Sequence, residues 1–224
     1  MKNQKISIAI DGPSAAGKST IAKQLAAELG FVYVDTGALY RVIGLAALQS
    51  GVATTDHEGV AALLQGLCVD LRYIDGVQRV FLGERDVSEE IRLPEMSMAA
   101  SNVSAYPEVR AFLLGLQRKL AQEHSVVMDG RDIGTVVLPD AKVKIFLTAS
   151  SEERARRRYQ EFAQKGISVD FDKLLEEIKQ RDYNDSHRSE APLRQAEDAV
   201  LVDSTAMSLQ GVVDRIKEIM EVKV

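Results

Sequence analysis

The sequence is poor in cysteine and tryptophan, and this scarcity excludes several kinds of protein. Its 224 residues include one cysteine, Cys68, and no tryptophan. A single thiol excludes an internal disulfide and any metal site built from several thiolates. Because Cys68 lies in an apolar stretch, we predict that its side chain is buried. The three histidines have no metal-ligand spacing, so we assign no role to His57, His124 and His187.

Long hydrophobic runs and an excess of basic residues are missing as well. No apolar run approaches the length of a membrane-spanning helix, about 18 residues, and the first residues lack the pattern of a signal peptide. We therefore expect a cytoplasmic protein that binds no membrane. The net charge is -5, and there is no basic tail. We expect no nucleic-acid partner, since such binding needs broad phosphate neutralisation. No coiled-coil pattern is present, and we expect a monomer.

Hydrophobic residues make up 46% of the chain, which is enough for a substantial core. Short β-rich runs alternate with longer amphipathic segments, a pattern typical of βαβ units around a parallel sheet. We predict an α/β fold of three layers with a central five-stranded parallel sheet. The predicted strands are Lys5–Ile10, Phe31–Asp35, Ser125–Asp129, Val143–Leu147 and Ala199–Val202. The predicted helices are Lys18–Leu29, Gly37–Ser50, Pro107–Glu123, Ser151–Lys165, Phe171–Asn184 and Ser208–Val222.

One stretch, Leu67–Val87, interrupts this alternation. Asp75 and Gly76 lie between two segments of alternating polarity, and an Asp-Gly pair in that position is a strong signal for a β-hairpin. We predict a small antiparallel β insert that projects from the parallel core. Such an insert could cover a substrate, or it could be a hairpin without a role in function.

The most informative segment follows the first predicted strand and matches the pattern of a phosphate-binding loop. Its residues are Gly12, Pro13, Ser14, Ala15, Ala16, Gly17, Lys18 and Ser19. Glycines allow the backbone to curl around an anion, and the N-terminus of the following helix adds partial positive charge. We predict that Lys18 reaches the terminal phosphates of a nucleotide and that the Ser19 hydroxyl ligates Mg²⁺. The alternative is a glycine-bearing turn that binds no nucleotide.

The predicted strand that ends at Asp35 leads into a second candidate phosphate site. Thr36 offers a hydroxyl at the start of a helix, and Arg41 lies about one turn further on. Ligands of open parallel sheets gather at the carboxyl ends of strands, so these groups could hold a second phosphate opposite the one at Lys18. Alternatively, Thr36 is a helix cap and Arg41 is a surface charge.

The predicted strand that ends at Asp129 supplies a third candidate. Asp129 fits the loose pattern of an acid that lies near Mg²⁺, or near its bound water, in proteins with a phosphate-binding loop. After it, Arg131 could bridge phosphates and Asp132 could accept a hydrogen bond from a base. The alternative is an aspartate-capped turn with a surface ion pair.

A later helix carries four arginines close together. Arg154, Arg157 and Arg158 share one face, whereas Arg156 points away. These side chains could form a lid that closes over the donor phosphates and excludes water. The alternative is a solvated face that neighbouring glutamates neutralise.

The next helix carries an Arg–Asp–Arg pattern. Arg181, Asp185 and Arg188 share a face if the helix persists through all three positions. The arginines could bind phosphate and Asp185 a sugar hydroxyl. A salt bridge within the helix explains the same pattern.

These motifs indicate phosphoryl transfer, for which positioning and charge stabilisation supply most of the catalysis. The chain resembles the bacterial cytidylate kinases, a family of nucleoside monophosphate kinases, over nearly its whole length. The segments that carry the likeness are Gly12–Thr20, Asp35–Arg41, Asp129–Val137, Ser150–Ala155 and Arg181–Arg188. Thr36 stands where serine occurs at least as often, which retains the hydroxyl.

The resemblance implies a Mg²⁺-dependent kinase that moves the γ-phosphoryl group of ATP (or dATP) to CMP or dCMP. Besides the loop residues named above, the implied ATP contacts are Thr20, Arg154 and Arg157. The implied contacts of the acceptor phosphate are Thr36, Arg41, Arg131 and Arg188. The implied contacts of cytosine are Ser101, Arg110 and Asp132, and those of ribose are Arg181 and Asp185. The implied catalytic residues are Lys18, Arg131, Arg158 and Arg188, and the implied metal ligands are Ser19, directly, and Asp129, through water.

The resemblance also implies a single kinase domain over 1–224. Its core would comprise 1–60, 105–150 and 195–224. An acceptor-binding insert would cover about 61–104. An arginine-rich lid and the acceptor helices would occupy about 151–190.

Three other functions agree with parts of the sequence. A regulatory GTPase would carry an Asn/Thr-Lys-x-Asp segment that reads guanine, and none is found. A kinase for another nucleoside monophosphate or a small metabolite would share the donor site but take a different acceptor. A scaffold that only retained the fold would gain no protection against thermal unfolding from ATP.

Overall fold

The computed structural model describes residues 5–223, so the ends of the predicted domain, 1–4 and 224, lie outside the described residues. The strands are β1 (Ser7–Asp11), β2 (Val32–Asp35), β3 (Val69–Ile74), β4 (Val77–Leu82), β5 (Arg85–Asp86), β6 (Val126–Gly130), β7 (Val143–Thr148) and β8 (Val200–Asp203). The helices are α1 (Lys18–Leu29), α2 (Thr36–Gln49), α3 (His57–Leu63), α4 (Met96–Val103), α5 (Pro107–Glu123), α6 (Ser151–Gln164), α7 (Phe171–His187) and α8 (Leu209–Lys223). Short helical turns cover Leu64–Gly66, Glu90–Arg92 and Ile133–Val137.

A five-stranded parallel sheet with the order β2-β6-β1-β7-β8 forms the centre of the α/β fold. The middle strand β1 pairs in parallel with β6, where Ser7 lies opposite Val126, and with β7, where Ile8 lies opposite Val143. The predicted α/β class and parallel sheet are confirmed. Strands β1, β6 and β7 read as nearly continuous apolar runs, as expected for strands buried on both faces.

Helix boundaries follow local signals in the sequence. Helices α1 and α5 have the predicted bounds, and the bounds of α2, α6, α7 and α8 differ from the predicted ones by one to three residues at an end. Helices α3 and α4 were not predicted. Pro107 begins α5, because its fixed φ suits the first helical position. Gly30 ends α1 in the left-handed conformation, with a φ of 66°.

The described chain divides into two compact units. Unit 1 comprises 5–33 and 121–223. A core of buried side chains from β1, α1, β7 and α8 fills this unit, including Ile8, Leu25, Ile145 and Ile216.

Unit 2 comprises Val34–Leu120 and contains α2, α3, α4 and an antiparallel sheet with the order β3-β4-β5. The predicted hairpin is confirmed, since β3 and β4 pair with Ile74 opposite Val77. Asp75 and Gly76 both have positive φ, as a two-residue hairpin turn of the primed type requires. The third strand, β5, was not predicted, because two residues are too few to show an alternating pattern.

The prediction that Cys68 is buried was wrong, because its side chain is exposed. Successive side chains of a strand point to opposite faces. Cys68 immediately precedes β3, and its alternation places it on the same face as Asp70 and Arg72. Leu71 belongs to the opposite face and is buried. An apolar neighbourhood in sequence therefore did not place the thiol on the apolar face.

Across 5–223, none of the helices combines the length and the apolar composition that a membrane crossing would need.

Candidate active site

The loop between β1 and α1 has the backbone geometry that a phosphate-binding loop requires. Gly12 has a φ of 150°, and a Cβ at this position would overlap the backbone carbonyl of Leu147 on β7. Ala15 and Gly17 also have positive φ, at 57° and 91°, so the chain curls tightly before the helix. Helix α1 then begins at Lys18 with no side-chain cap and no acidic residue in its first turn. The first N–H groups of α1 therefore suit an anion.

Lys18 is buried near charged residues of the Asp129–Val137 and Arg181–Arg188 segments. Its Nζ donates a hydrogen bond to the carbonyl of Pro13 at 2.6 Å. Burial lowers the pKa of Lys18 well below its ordinary value, and the guanidinium groups of Arg131 and Arg181 act in the same direction. The negative charge of Asp129 acts in the opposite direction and raises the pKa of Lys18. The lysine of the phosphate loop and two arginines of the predicted acceptor site thus share one electrostatic environment within unit 1.

Ser19 and Asp129, the two residues predicted to face the metal, lie together. The Ser19 hydroxyl donates a hydrogen bond to Oδ2 of Asp129 at 2.9 Å. The phenol of Tyr33 donates to the other carboxylate oxygen, also at 2.9 Å. A hydroxyl and a carboxylate are hard oxygen donors of the kind that Mg²⁺ prefers, so this pair fits the ion. No motif marked Tyr33, whose position before Asp35 in β2 gave no hint of a contact with β6.

A buried carboxylate at the end of β1 holds the turn that follows β6. Asp11 accepts hydrogen bonds from the backbone N–H groups of Ile133 and Gly134, each at 2.7 Å. Burial raises the pKa of Asp11 to about 6, against the opposing effect of these two hydrogen bonds. Asp11 directly precedes Gly12, yet the loop pattern begins one residue after it, so the sequence did not single it out.

Two carboxylates and three arginines of the predicted acceptor site form one buried cluster. Nε of Arg131 lies 2.8 Å from Oδ2 of Asp185, and Nε of Arg181 lies 3.8 Å from the same oxygen. A terminal nitrogen of Arg188 lies 3.7 Å from Oδ1 of Asp132. None of the five side chains is more than 17% exposed. The structure therefore brings together residues from the Asp129–Val137 and Arg181–Arg188 segments.

Helix α7 extends three residues beyond its predicted end at Asn184, but it does not persist through Arg188, which is the condition for a face shared with Arg181 and Asp185. Helix α7 ends at His187, and Arg188 has a ψ of 145°, which is extended backbone. Its guanidinium donates two hydrogen bonds to the carbonyl of Ala191, at 3.0 and 2.7 Å. Arg188 thus reaches the cluster from the chain after the helix, and helical spacing does not explain its position.

Acid is expected to destabilise the protein through Asp185. Burial raises the pKa of this carboxyl, but Arg131 and Arg181 outweigh burial and lower it to about 2. The folded-state pKa lies below the ordinary value of 3.8, so the stabilisation is complete above that value and is lost as the pH falls toward 2. Between pH 3.8 and pH 2, the free energy of unfolding of the wild type should fall by about 2 kcal/mol more than that of an Asp185→Asn variant.

Urea unfolding at pH 5 and pH 2.5 measures this difference. An Asp214→Asn variant is a suitable control, because Asp214 is exposed on α8. Equal acid sensitivity in the wild type and both variants would contradict the expectation.

Arg154 contacts the phosphate loop instead of extending into solvent. Its side chain is 7% exposed and pairs with Asp182 at 2.6 Å. It also donates hydrogen bonds to the carbonyls of Ser14, at 3.0 Å, and Ala149, at 2.9 Å. The sequence marked Arg154 but missed Asp182, because a single acid on a charged helix carries no signal of a distant partner.

Arg157 and Arg158 take part in the glutamate pairs that the sequence left open as an alternative. Nε of Arg157 lies 3.1 Å from Glu153, and a terminal nitrogen of Arg158 lies 2.9 Å from Glu161. Arg157 also donates to the carbonyl of Ser204 at 2.7 Å, which ties α6 to the segment after β8. A role of both arginines in a lid over ATP stays a prediction.

In unit 2, the turn from β2 into α2 is capped by Asp35 and not by Thr36. Oδ1 of Asp35 accepts a hydrogen bond from the N–H of Ala38 at 3.0 Å, as an N-cap side chain does. Thr36 is the first residue of α2 and is 3% exposed, and Arg41 lies about one turn further along the helix. The cap that the sequence offered as an alternative role for Thr36 is therefore supplied by its neighbour.

Ser101 and Arg110, the other predicted contacts of the base, are linked where α4 leads into α5. The hydroxyl of Ser104 donates to the carbonyl of Ser101 at 2.9 Å, and Arg110 donates to the carbonyl of Ser104 at 3.2 Å. The guanidinium of Arg110 also lies over the ring of Tyr40, 5.6 Å from its centre. These contacts fix both residues within unit 2.

The central parallel sheet and the loop that leads into Lys18 define a P-loop α/β protein. The fold is similar to that of an uncharacterised protein from Eubacterium ventriosum, with a TM-score of 0.51 at 14% identity over 97% of this chain and 99% of that chain. A family model described as cytidylate kinase matches residues 8–222. The chain belongs to the cytidylate kinase family.

Curated relatives agree with this family over nearly their full length. The cytidylate kinase of Caldicellulosiruptor bescii is 51% identical over 216 residues, which cover 96% of each chain. The cytidylate kinase of Leuconostoc mesenteroides is 53% identical over 214 residues, again covering 96% of each chain. The aligned lengths include both units, and identity at this level is not confined to the phosphate loop.

Proposed function

We propose that this protein transfers the γ-phosphoryl group of ATP to CMP or dCMP, giving ADP and CDP or dCDP. Membership of the cytidylate kinase family supports an ATP-dependent kinase of CMP. The observation that carries the reaction type is the shared environment of Lys18, Arg131 and Arg181. A lysine for the donor phosphates and arginines for an acceptor are both needed where a phosphoryl group passes from one anion to another.

On the donor side, the loop 12–19 and Thr20 bind the phosphates of ATP. Lys18 contacts the terminal phosphates of ATP. Their negative charge would raise the pKa of Lys18 and so favour its protonated form. Arg154 and Arg157 of α6 bind the nucleotide, and Arg158 places charge on the group in transfer. These three belong to the proposed lid, within about 151–190.

Mg²⁺ is part of the proposal, held directly by Ser19 and through water by Asp129. The ion would supply charge neutralisation between donor phosphates. Tyr33 is the further partner of Asp129 and keeps its carboxylate oriented by a second hydrogen bond. Orientation of a ligating carboxylate by such a partner is a common feature of metal sites.

On the acceptor side, each group of residues meets a different part of CMP. The residues that bind the phosphate are Thr36, Arg41, Arg131 and Arg188. The residues that read cytosine are Ser101, Arg110 and Asp132. The residues that hold the ribose are Arg181 and Asp185. The short insert, about 61–104, belongs to the acceptor-binding part of a single kinase domain.

No general base is required in this mechanism. The attacking oxygen belongs to a phosphate that is already anionic, so the residues only need to align the two anions and to stabilise the charge that moves. Arginine suits this task because its planar guanidinium binds two phosphate oxygens at once. We further propose that the enzyme works as a cytoplasmic monomer without nucleic-acid or membrane partners.

Release of ADP across a panel of acceptors tests the proposed function. The purified protein is supplied with ATP and Mg²⁺ together with CMP, dCMP, UMP, AMP or GMP, or with no acceptor. We expect ADP formation that depends on CMP or dCMP. ADP release of equal rate with and without an acceptor would contradict kinase activity. Dependence on a different monophosphate would retain the donor site but replace the acceptor.

A further inference from the structure

Two side chains of the predicted acceptor-binding insert, about 61–104, contact Asp35 in unit 2. The backbone N–H of Asp35 donates a hydrogen bond to the side-chain carbonyl of Gln78, on β4, at 2.9 Å. A terminal nitrogen of Arg92, in the turn Glu90–Arg92, lies 2.8 Å from Oδ2 of Asp35. The Asp35 side chain is 6% exposed and that of Arg92 is 36% exposed, so solvent screens the arginine more than the buried carboxylate. The insert therefore holds Asp35 through both its backbone and its carboxylate.

The same carboxylate also fixes the start of α2. Its Oδ1 caps the helix at Ala38 while its Oδ2 pairs with Arg92. Thr36 directly follows Asp35, and Arg41 lies on the next turn of this helix. The contacts of the Asp35 carboxylate therefore position the first turn of α2, which carries Thr36 and leads into the turn that carries Arg41. The proposed function assigns these two residues to the acceptor phosphate.

The balance of charge at this position also involves Arg41. Burial raises the pKa of Asp35, but Arg92 and Arg41, in that order, outweigh burial and hold it below its usual value. If a neutral residue replaced Arg92, Arg41 would be the main positive charge that stabilises the buried Asp35 carboxylate. Its guanidinium would then be less available to a phosphate, because the two anions compete for it.

We propose that Arg92 is a positioning residue for acceptor binding: its ion pair with Asp35 orients the first turn of α2 and leaves Arg41 to the acceptor phosphate. This inference rests on the proposed function, in which Thr36 and Arg41 bind that phosphate. It gives the acceptor-binding insert an effect on acceptor affinity that acts through Asp35.

Steady-state kinetics of an Arg92→Gln variant test this proposal. Loss of one charge-assisted contact should raise KM for CMP about tenfold, while KM for ATP and kcat at saturating CMP change less than about twofold. Arg92→Lys retains the charge and should recover part of the loss. Arg85→Gln is the matched control, because Arg85 contacts Gln49 at the other end of α2 and its side chain is 50% exposed.

Repeating the Arg92→Gln measurement in an Asp35→Asn variant tests whether Arg92 acts through Asp35. Asparagine keeps an oxygen that can cap α2 but has no charge for Arg92 to neutralise. In this background, Arg92→Gln should raise KM for CMP by less than about threefold, since coupled residues are not additive. A full tenfold effect in both backgrounds would overturn the route through Asp35.

The remaining outcomes separate this inference from the function on which it rests. If the wild type phosphorylates CMP and Arg92→Gln behaves like Arg85→Gln, the inference is wrong and the function stands. If KM rises equally for ATP and CMP while Tm falls, Arg92 is only structural and the inference is wrong. If the wild type does not phosphorylate CMP, both are wrong.

Discussion

Replacing Lys18 by alanine is expected to lower kcat for phosphoryl transfer to CMP by at least on the order of 10²–10³. The lysine is the one buried ammonium at the phosphate loop in the part of the chain that the structure describes, and it directly begins α1. In the proposed mechanism, its charge acts where negative charge moves between donor and acceptor phosphates, in surroundings from which water is largely excluded. Little other catalysis is available, because the mechanism has no general base to compensate.

The loss should be catalytic and not structural. Burial and two nearby arginines lower the pKa of Lys18, so its charged form is disfavoured by the fold. The Tm of Lys18→Ala should therefore equal or exceed that of the wild type. Lys23→Ala is the matched control, because Lys23 is exposed on the same helix. Turnover close to that of the control would remove Lys18 from the mechanism.

The sequence predicted the elements that have strong local signals. The loop pattern at Gly12 places the end of β1 and the start of α1, and Pro107 places the start of α5. The hairpin at Asp75 follows from the rare backbone conformation that its turn requires. These features depend on residues a few positions apart, so they can be read without knowledge of the tertiary structure.

Short elements were missed for a physical reason. Helix α3 has seven residues and α4 has eight, which is too few for a clear helical period. A signal for α3 was present, since Asp56 caps it through the N–H of Gly59. Helix α4 has no side-chain cap, and it packs so closely on α2 that a Cβ on Gly44 would lie 2.9 Å from Ala99. Its position is therefore set by tertiary contact.

In the candidate site, too, features with local sequence signals were predicted and features set by tertiary contacts were not. The residues of the family motifs were identified, and the structure brings those of unit 1 into one buried cluster. The partners that orient them were not identified. Tyr33, Asp182 and Arg92 contact partners that lie many residues away in the sequence, and no motif assigned a role to any of the three. Sequence motifs thus predict which groups meet the substrate, whereas the contacts that support those groups can be identified only from the fold.

The second large effect expected is discrimination between acceptors: kcat/KM for CMP should exceed that for UMP by roughly 30-fold to 10⁴-fold. Asp132 is 3% exposed, so its carboxylate has little access to solvent when a base lies against it. Cytosine offers an N4 amino donor to this carboxylate and acceptors at N3 and O2 to Arg110. Uracil presents an acceptor at position 4 and a donor at N3, so two buried contacts would be mismatched, each costing about 1–3 kcal/mol.

Variants of two buried aspartates test whether the preference comes from reading the base. Asp132→Asn should narrow the ratio of kcat/KM between CMP and UMP at least tenfold, since an amide can also donate to the uracil oxygen. Asp185→Asn should lower kcat/KM for both acceptors by a similar factor, because the ribose that it is proposed to hold is common to both. Initial rates with the two acceptors, at saturating ATP, give both ratios. Equal efficiency of the wild type with CMP and UMP, or a narrowed ratio in Asp185→Asn alone, would refute the assignment of Asp132 to cytosine.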